Sequence, residues 1–277
     1  MEKKLLLEIE KVILFGIRDY FKKNNIKKTV IGISGGLDSA IACFLSVKAL
    51  GKQNVIGILM PDAITSKQSL IDAKKVVKHL EIEYYEVPIG SFSAQFDAIL
   101  KKNKLNNDRL ALANSKARIR MAILYFFAQR HGALVMGTSD KSEIALGYTT
   151  KFGDNACDFL PIADLWKTQV KKLGKQLSVP ASILNKKPSA ELLPNADAQT
   201  ELGAPYEILD QILQMHIVEN ASADELILLG FDKKIVQTTL RRIKNNEHKR
   251  KMPPIIRLSE RSFHSTEWRM PMTNKFE

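Results

Sequence analysis

The sequence predicts an α/β protein: a doubly wound parallel sheet with helices on both faces, followed by a helical C-terminal extension. Two observations carry this expectation. Four apolar runs of strand length, rich in β-branched or aromatic residues, occur at TVIGIS (29–34), NVIGILMP (54–61), IEYYEVPI (82–89) and ALVMGTSD (133–140). Helical segments separate them, and strands alternating with helices build a parallel sheet covered on both sides.

The elements follow in order. The N-terminal MEKKLLLEIEKVILFGIRDYFKK carries Glu8, Glu10, Lys11 and Arg18 inside its apolar pattern, so it reads as an amphipathic helix, not a signal peptide or a membrane span. A helix is expected from Asp38 to Leu50 with Gly51 as its stop, a second from Ser66 to Leu80, and a long third from about Leu110 to Arg130 ending at Gly132. After Pro161 the pattern turns helical, with PYEILDQILQMHIVEN, SADELILLGF and DKKIVQTTLRRIKNNEHK as elements. The intervening KPSAELLPNADAQTELGAP (187–205) reads as a long loop. One domain is expected, with an α/β core over 1–180 and a loop and helical part of the same domain over 181–277.

In 277 residues, 42 Lys and Arg stand against 30 Asp and Glu, a formal charge of +12. The excess favours a polyanionic partner, and nucleotides, RNA and acidic membranes all qualify. It is dispersed in lysine pairs, densest at NEHKRK (246–251), and most of these lysines read as a solvated surface. Cys43 and Cys157 are the only cysteines, too few for a disulfide scaffold or a structural zinc site, so a reducing cytoplasm is expected.

Ligands of such sheets sit beyond the carboxyl ends of the strands. Here those ends are SGGLDS, MPDAITS, PIGSF and GTSDKSE, all enriched in small, hydroxyl or acidic residues. At Ser34-Gly35-Gly36 two glycines allow backbone N–H groups to converge near a helix N-terminus, where an anion fits; a plain tight turn is the alternative. Ser34 and Ser39 add hydroxyls. Asp38 reads either as a first-turn acid complementing the helix dipole or as a metal ligand beside phosphates. The Walker pattern GxxxxGK(S/T) is excluded, because Leu37 stands directly after Gly36 where it requires a lysine, and GxGxxG does not match either.

SGGLDS between strand and helix resembles the pyrophosphate-binding loop of the N-type ATP pyrophosphatase superfamily, which cleaves ATP between the α- and β-phosphates. NSKARIRM (114–121), GTSDKSEIALGYTTKFGDNACDFLPIADLWKTQV (137–170), KPSAELLP (187–194) and NEHKR (246–250) together resemble NAD synthetases. The resemblance implies an adenine nucleotide alpha hydrolase-like fold and amidation of deamido-NAD⁺ to NAD⁺ by ammonia, through an adenylate, releasing AMP and pyrophosphate.

It also implies roles for individual residues. ATP falls to Gly32, Ile33, Ser34, Gly35, Gly36, Leu37, Asp38 and Ser39, with Thr138, Lys167 and Ser189. Magnesium falls to Asp38 and Glu143, the latter otherwise a helix acid free to pair with Lys141 or Lys151. Deamido-NAD⁺ falls to Arg118, Lys151, Asp158, His248 and Lys249, although Arg118 and His248 alone would read as surface residues. Asp154 stands where an ammonium ion would be bound and deprotonated, and Asp38, Glu143, Lys167 and Asp154 form the expected catalytic set. Ser189 departs from the usual threonine, and Leu37 and Asn155-Ala156 depart from the family's usual forms. A homodimer with its active sites near a helical interface is implied, with no nucleic acid and no membrane as partner.

All 277 residues are taken up by the resemblance, so free ammonia is the expected nitrogen source. Segments 61–67 and 187–203 are candidate lids that would keep water from the adenylate. Two rivals remain: an ATP pyrophosphatase acting on tRNA, favoured by charge but lacking a suitable cysteine pair, and a nucleotide-binding regulator without turnover.

Overall fold

The computed structural model describes residues 2–105, 108–188, 197–260 and 273. Its sheet has four parallel strands, β1 (Lys28–Gly32), β2 (Val55–Leu59), β3 (Glu83–Glu86) and β4 (Ala133–Met136), in the order β3-β2-β1-β4. The helices are α1 (Glu2–Lys23), α2 (Leu37–Leu50), α3 (Lys67–His79), α4 (Gly90–Lys102), α5 (Arg109–His131), α6 (Lys141–Leu146), α7 (Lys167–Gln176), α8 (Ala181–Leu184), α9 (Ala198–Leu202), α10 (Tyr206–Leu213), α11 (Ala223–Leu228), α12 (Lys233–Asn245) and α13 (Glu247–Arg250).

Strand periodicity of two decides which helices cover which face. Val30, Ile56, Ile58 and Val135 turn to one side, where Ala128, Ile123 and Phe127 of α5 pack on them. Ile31, Val55 and Leu59 turn to the other, against Ile17 of α1, Ile41 and Leu45 of α2, Val76 of α3 and Leu173 of α7. The helix limits follow local chemistry. Ser66 caps α3 and Asp108 caps α5, each side chain accepting a backbone N–H one turn on, and Gly132 ends α5 in the left-handed region.

Two elements differ from the sequence expectation. GSFSAQFDAILKK forms α4, unsuspected because its N-cap, Ile89, offers no side-chain cap and none of its residues is buried. Within the expected loop 187–205, residues 198–202 form the short α9, whose Ala198 and Leu202 are buried. Ser189 and the rest of 189–196 lie outside the described residues.

The C-terminal helices pack on the core through α6. Ala145 and Leu146 share a buried cluster with Trp166, Leu202, Tyr206 and Leu209, and a further cluster of Ile212, Leu226 and Val236 joins α10, α11 and α12. Among the described residues, no helix is long and apolar enough to cross a membrane.

Asp72 ties two surface elements together. It is fully buried, and its Oδ1 accepts from Gln68 Nε2 at 3.0 Å, Ser182 Oγ at 2.8 Å and Lys75 Nζ at 3.3 Å, joining α3 to α8. Burial pushes its carboxyl up, but donation from Ser182, Gln68 and Lys75 outweighs this and holds it below the usual range. A depressed folded pKa stabilises the protein above the unfolded value and is lost as pH falls through the folded one. Asp72→Asn is therefore expected to cost about 1–3 kcal/mol at pH 7 in urea denaturation, with the difference from wild type shrinking below about pH 4. A difference independent of pH would assign the effect to packing alone.

Candidate active site

The strand order places β2 and β3 on one side of β1 and β4 on the other, so the loops leaving β1 and β4 diverge and open a crevice between them. A cleft of about 2060 Å³, counting its open mouth, occupies this position. One wall is the loop after β1 and the head of α2. The facing wall comes from Thr138, Glu143, Lys167 and Tyr206.

The β1–α2 loop is tied by its own hydroxyls. Gly36 N donates to Ser34 Oγ at 3.2 Å, Ser39 Oγ donates to Gly36 O at 3.1 Å, and the two hydroxyl oxygens lie 3.0 Å apart. Gly36, the N-cap of α2, offers no side-chain acceptor, which leaves the N–H groups at the head of this helix available to an anion. The two glycines have different duties. Gly35 has φ +78°, and a Cβ there would lie 2.0 Å from the Ser69 carbonyl oxygen of α3, so it is required by packing. Gly36 lines the cleft and Gly35 does not.

Between the two walls, three carboxylates surround one ammonium, Asp38 from the head of α2 and Asp140 and Glu143 from the facing side. Lys167 Nζ stands 2.9 Å from Asp38 Oδ2, 2.7 Å from Asp140 Oδ2 and 2.8 Å from Glu143 Oε1. Asp140 and Glu143 form a capping box at the start of α6, in which Asp140 Oδ1 accepts from Glu143 N at 2.8 Å. Lys167 is the first residue of α7. Its backbone N donates to Ser142 Oγ at 2.9 Å, Ser142 Oγ donates to Asp210 Oδ1 at 2.5 Å, and Thr168 N donates to Asp210 Oδ2 at 2.9 Å. Asp210 of α10 thus fixes the heads of α6 and α7 relative to each other.

The electrostatics are those of a crowded, partly buried site. Burial pushes the Asp140 carboxyl up to about 6, against the pull of Lys167. Burial also raises Glu143, with Asp140 and Asp38 adding to the shift. Desolvation works against the Lys167 ammonium, but Asp38, Glu143 and Asp140 together hold it above its ordinary range.

Oxygens of Asp38, Asp140 and Glu143 all lie within 4.8 Å of one another, and Asp38 Oδ1 is buried without a hydrogen-bond partner among the described residues. Asp140 Oδ2 likewise has its ion pair with Lys167 but no hydrogen bond. Hard oxygen donors with spare lone pairs fit a divalent cation such as Mg²⁺.

Of the residues singled out in the sequence, Gly32, Ile33, Ser34, Gly36, Leu37, Asp38, Ser39, Thr138, Glu143, Asp154 and Lys167 line the cleft. Glu143 pairs with Lys167, while Lys141 pairs with Asp164 at 2.7 Å. Asp154 is exposed, and its Oδ1 accepts from Thr150 N at 2.6 Å.

The expected dinucleotide contacts are not gathered in the cleft of one chain. Arg118 Nε donates to Lys151 O at 3.3 Å, and Lys151 Nζ lies 5.1 Å from the Phe152 ring centroid. His248 is exposed. Asp158 is engaged at the sheet edge, where its Oδ2 accepts from Val135 N at 2.7 Å and its Oδ1 from Tyr125 at 3.2 Å. Lys249 Nζ donates to the carbonyls of Gly147 at 2.6 Å and Thr149 at 2.8 Å.

Sequence reasoning missed Asp140, although a capping box (acid, two residues, Glu) was readable at 140–143. It also missed Arg120, Lys171, Lys186 and Lys187, which line the cleft, and the supporting Asp210. Neither cysteine serves as a nucleophile: Cys43 is buried with its thiol pushed up to about 12 by burial, and burial pushes Cys157 up to about 11.

A family model described as NAD synthase matches residues 8–253. A glutamine-dependent NAD(+) synthetase of Aquifex aeolicus is 43% identical over 276 residues, 97% of this chain, but the chain spans only 48% of that relative's length. An NH(3)-dependent NAD(+) synthetase of Saccharolobus solfataricus is 41% identical over 98% of this chain and 97% of its own. Among solved structures, an NMN synthetase from Francisella tularensis superposes with a TM-score of 0.79 at 31% identity, covering 91% of this chain and 98% of that one.

Removing the ammonium leaves three carboxylates, one buried and two half-buried, crowded together without a counter-charge. Lys167→Met is expected to lower stability by about 3–5 kcal/mol at neutral pH, and millimolar Mg²⁺ should raise the melting temperature of the variant more than that of wild type. Equal Mg²⁺ shifts in the two proteins would show that Lys167 and a cation do not share the carboxylates.

Proposed function

The chain belongs to the NAD synthase family, and we propose that it converts deamido-NAD⁺ to NAD⁺, using ammonia and cleaving ATP to AMP and pyrophosphate. The observation that carries this reading is one cleft in which the Gly36 loop and Asp38 at the head of α2 face Asp140, Glu143 and Lys167. The Saccharolobus relative, named NH(3)-dependent and matched over 97% of its length, supports ammonia as the nitrogen source.

In the first step an oxygen of the nicotinate carboxylate attacks the α-phosphorus of ATP in line. The bond from that phosphorus to the bridging oxygen of the β-phosphate breaks, and pyrophosphate leaves with the electron pair. The N–H groups at the head of α2 hold the leaving group, Lys171, Lys186 and Lys187 offset its charge, and Lys167 stabilises the phosphate oxygens as charge builds. Mg²⁺ held by Asp38, Asp140 and Glu143 would supply further charge neutralisation. In the second step the ammonia nitrogen forms a bond to the carbonyl carbon, AMP departs with its oxygen, and the extra proton is released. Asp154 binds the ammonium and accepts its first proton as it enters. Most of the acceleration in this scheme comes from positioning and charge.

We assign a second copy of the chain to the exposed apolar surface of α4 and α5, where Phe92, Phe96, Ile99, Leu110 and Phe126 stand in solvent. The position of Arg118 on α5 and outside the cleft supports this, since a residue from a neighbouring copy would complete the dinucleotide site. A reducing cytoplasm suits two free thiols.

One reaction containing ATP, Mg²⁺, ammonium and deamido-NAD⁺, analysed for NAD⁺, AMP and pyrophosphate, tests the function. Nicotinate mononucleotide belongs in a parallel reaction because of the likeness to an NMN synthetase; faster amidation of the mononucleotide would move the substrate assignment to it. Asp38→Asn and Glu143→Gln should each lower the rate by about 100-fold or more. Asp154→Asn should raise the KM for ammonium more than it slows adenylate formation. A folded protein that amidates neither substrate overturns the reading.

For the dimer, sedimentation at micromolar concentration should give twice the chain mass, and Phe96→Glu should give single chains. A wild-type monomer would remove the proposed interface.

A further inference from the structure

We propose that Asn246 and Arg250 are positioning residues that hold the carboxylates of α6 in place. Helix α6 has only six residues, and Asp140 and Glu143 both belong to its start. A helix this short does not maintain itself, so whatever grips its far end sets where the two carboxylates point. The last carbonyls of any helix lack partners within it. Here side chains from one stretch of chain take them in succession.

Arg250 Nη1 donates to Ile144 O at 2.9 Å and Ala145 O at 2.8 Å, Asn246 Nδ2 donates to Leu146 O at 3.2 Å, and Lys249 Nζ donates to Gly147 O at 2.6 Å. The approach is close: Gly147 has φ +63°, and a Cβ there would lie 2.2 Å from Asn246 Cβ. The guanidinium is itself braced, with Nε donating to Glu247 Oε2 at 3.0 Å and Nη2 to the same oxygen at 2.7 Å and to Ile243 O. Its fixed fork engages several acceptors at once, which a lysine cannot reproduce. The positive charge also lies at the negative end of the α6 dipole.

The basic run NEHKR therefore has two faces. His248 is exposed, while Asn246 and Arg250 turn inward onto α6. Asp210 secures the head of α6 through Ser142 at 2.5 Å, and this latch secures its tail.

The inference rests on the α6 carboxylates serving as cation ligands in the proposed function, and its test is read without turnover. Mn²⁺ alone is titrated by electron paramagnetic resonance into wild type, Arg250→Ala, Arg250→Lys and Asn246→Ala, with hydrogen exchange followed over α6. Both Arg250 variants should weaken Mn²⁺ binding about 10-fold or more and exchange faster at α6 than elsewhere. Added guanidinium should restore Mn²⁺ affinity to Arg250→Ala and not to Arg250→Lys. Asn246→Ala should show a smaller loss of the same kind, and it carries the test if Arg250→Ala does not fold.

Unchanged Mn²⁺ affinity in folded variants, with lower melting temperatures alone, overturns the proposal, as does a wild type that binds no Mn²⁺. Failure of the wild type to make NAD⁺ bears on the proposed function and leaves the Mn²⁺ comparison intact.

Discussion

Three carboxylates, Asp140 buried and Asp38 and Glu143 half-buried, share one ammonium, and most of the remaining architecture can be understood from that arrangement. Buried charge is tolerated only when paired and well hydrogen-bonded. Lys167 provides the pairing at 2.7–2.9 Å. The heads of α2, α6 and α7 carry Asp38, Asp140 with Glu143, and Lys167, so three helix N-termini converge on the cluster. Their dipoles favour the carboxylates and disfavour the ammonium, which sets a net preference for negative groups in the cluster and keeps it receptive to cations. A site already satisfied by its own lysine can remain folded before any ligand arrives.

Convergence of short helices needs external support, and the C-terminal part supplies it. Tyr206 and Leu209 of α10 join Leu146 and Trp166 in one buried cluster, placing the start of α10 beneath both α6 and α7. Asp210 follows on the same helix and bridges Ser142 to Thr168. The helical extension therefore acts as the floor of the carboxylate cluster. Cutting it away would strip the tail of α6 of its side-chain partners and leave Ser142 without Asp210.

The strands were legible because four apolar runs of the right length are separated by capped helices, and Gly51 and Gly132 stop α2 and α5 as their conformational freedom requires. The pairing of Asp38 with Glu143 came from the family resemblance, and their places after β1 and β4 agree with it. Helix α4 was not, because it buries no residue and so leaves no strong periodic signature. Asp140 was hidden by its dual use as helix cap and as partner of Lys167. Gly35 looked like part of an anion cradle, but its constraint is the Ser69 carbonyl of a helix more than thirty positions away, a contact no local pattern encodes. Asp158 and Lys249 satisfy backbone groups at the sheet edge and the α6 turn, and such long-range accounting is invisible in one dimension.

The charge distribution gives the cleft a direction. The formal +12 of the chain suggests a general appetite for anions, yet the cluster around Lys167 holds three carboxylates to one ammonium. Lys171, Lys186 and Lys187 line other parts of the same cleft. A polyphosphate entering such a field is not held by net attraction alone: the lysines and the head of α2 draw its free end, while the carboxylates repel it unless a cation intervenes. A bare anion and a cation-bound one would thus settle differently, and the cleft discriminates between them before any chemistry begins. Selectivity of this kind depends on keeping the carboxylates fixed, because a repulsive group that can swing away excludes nothing.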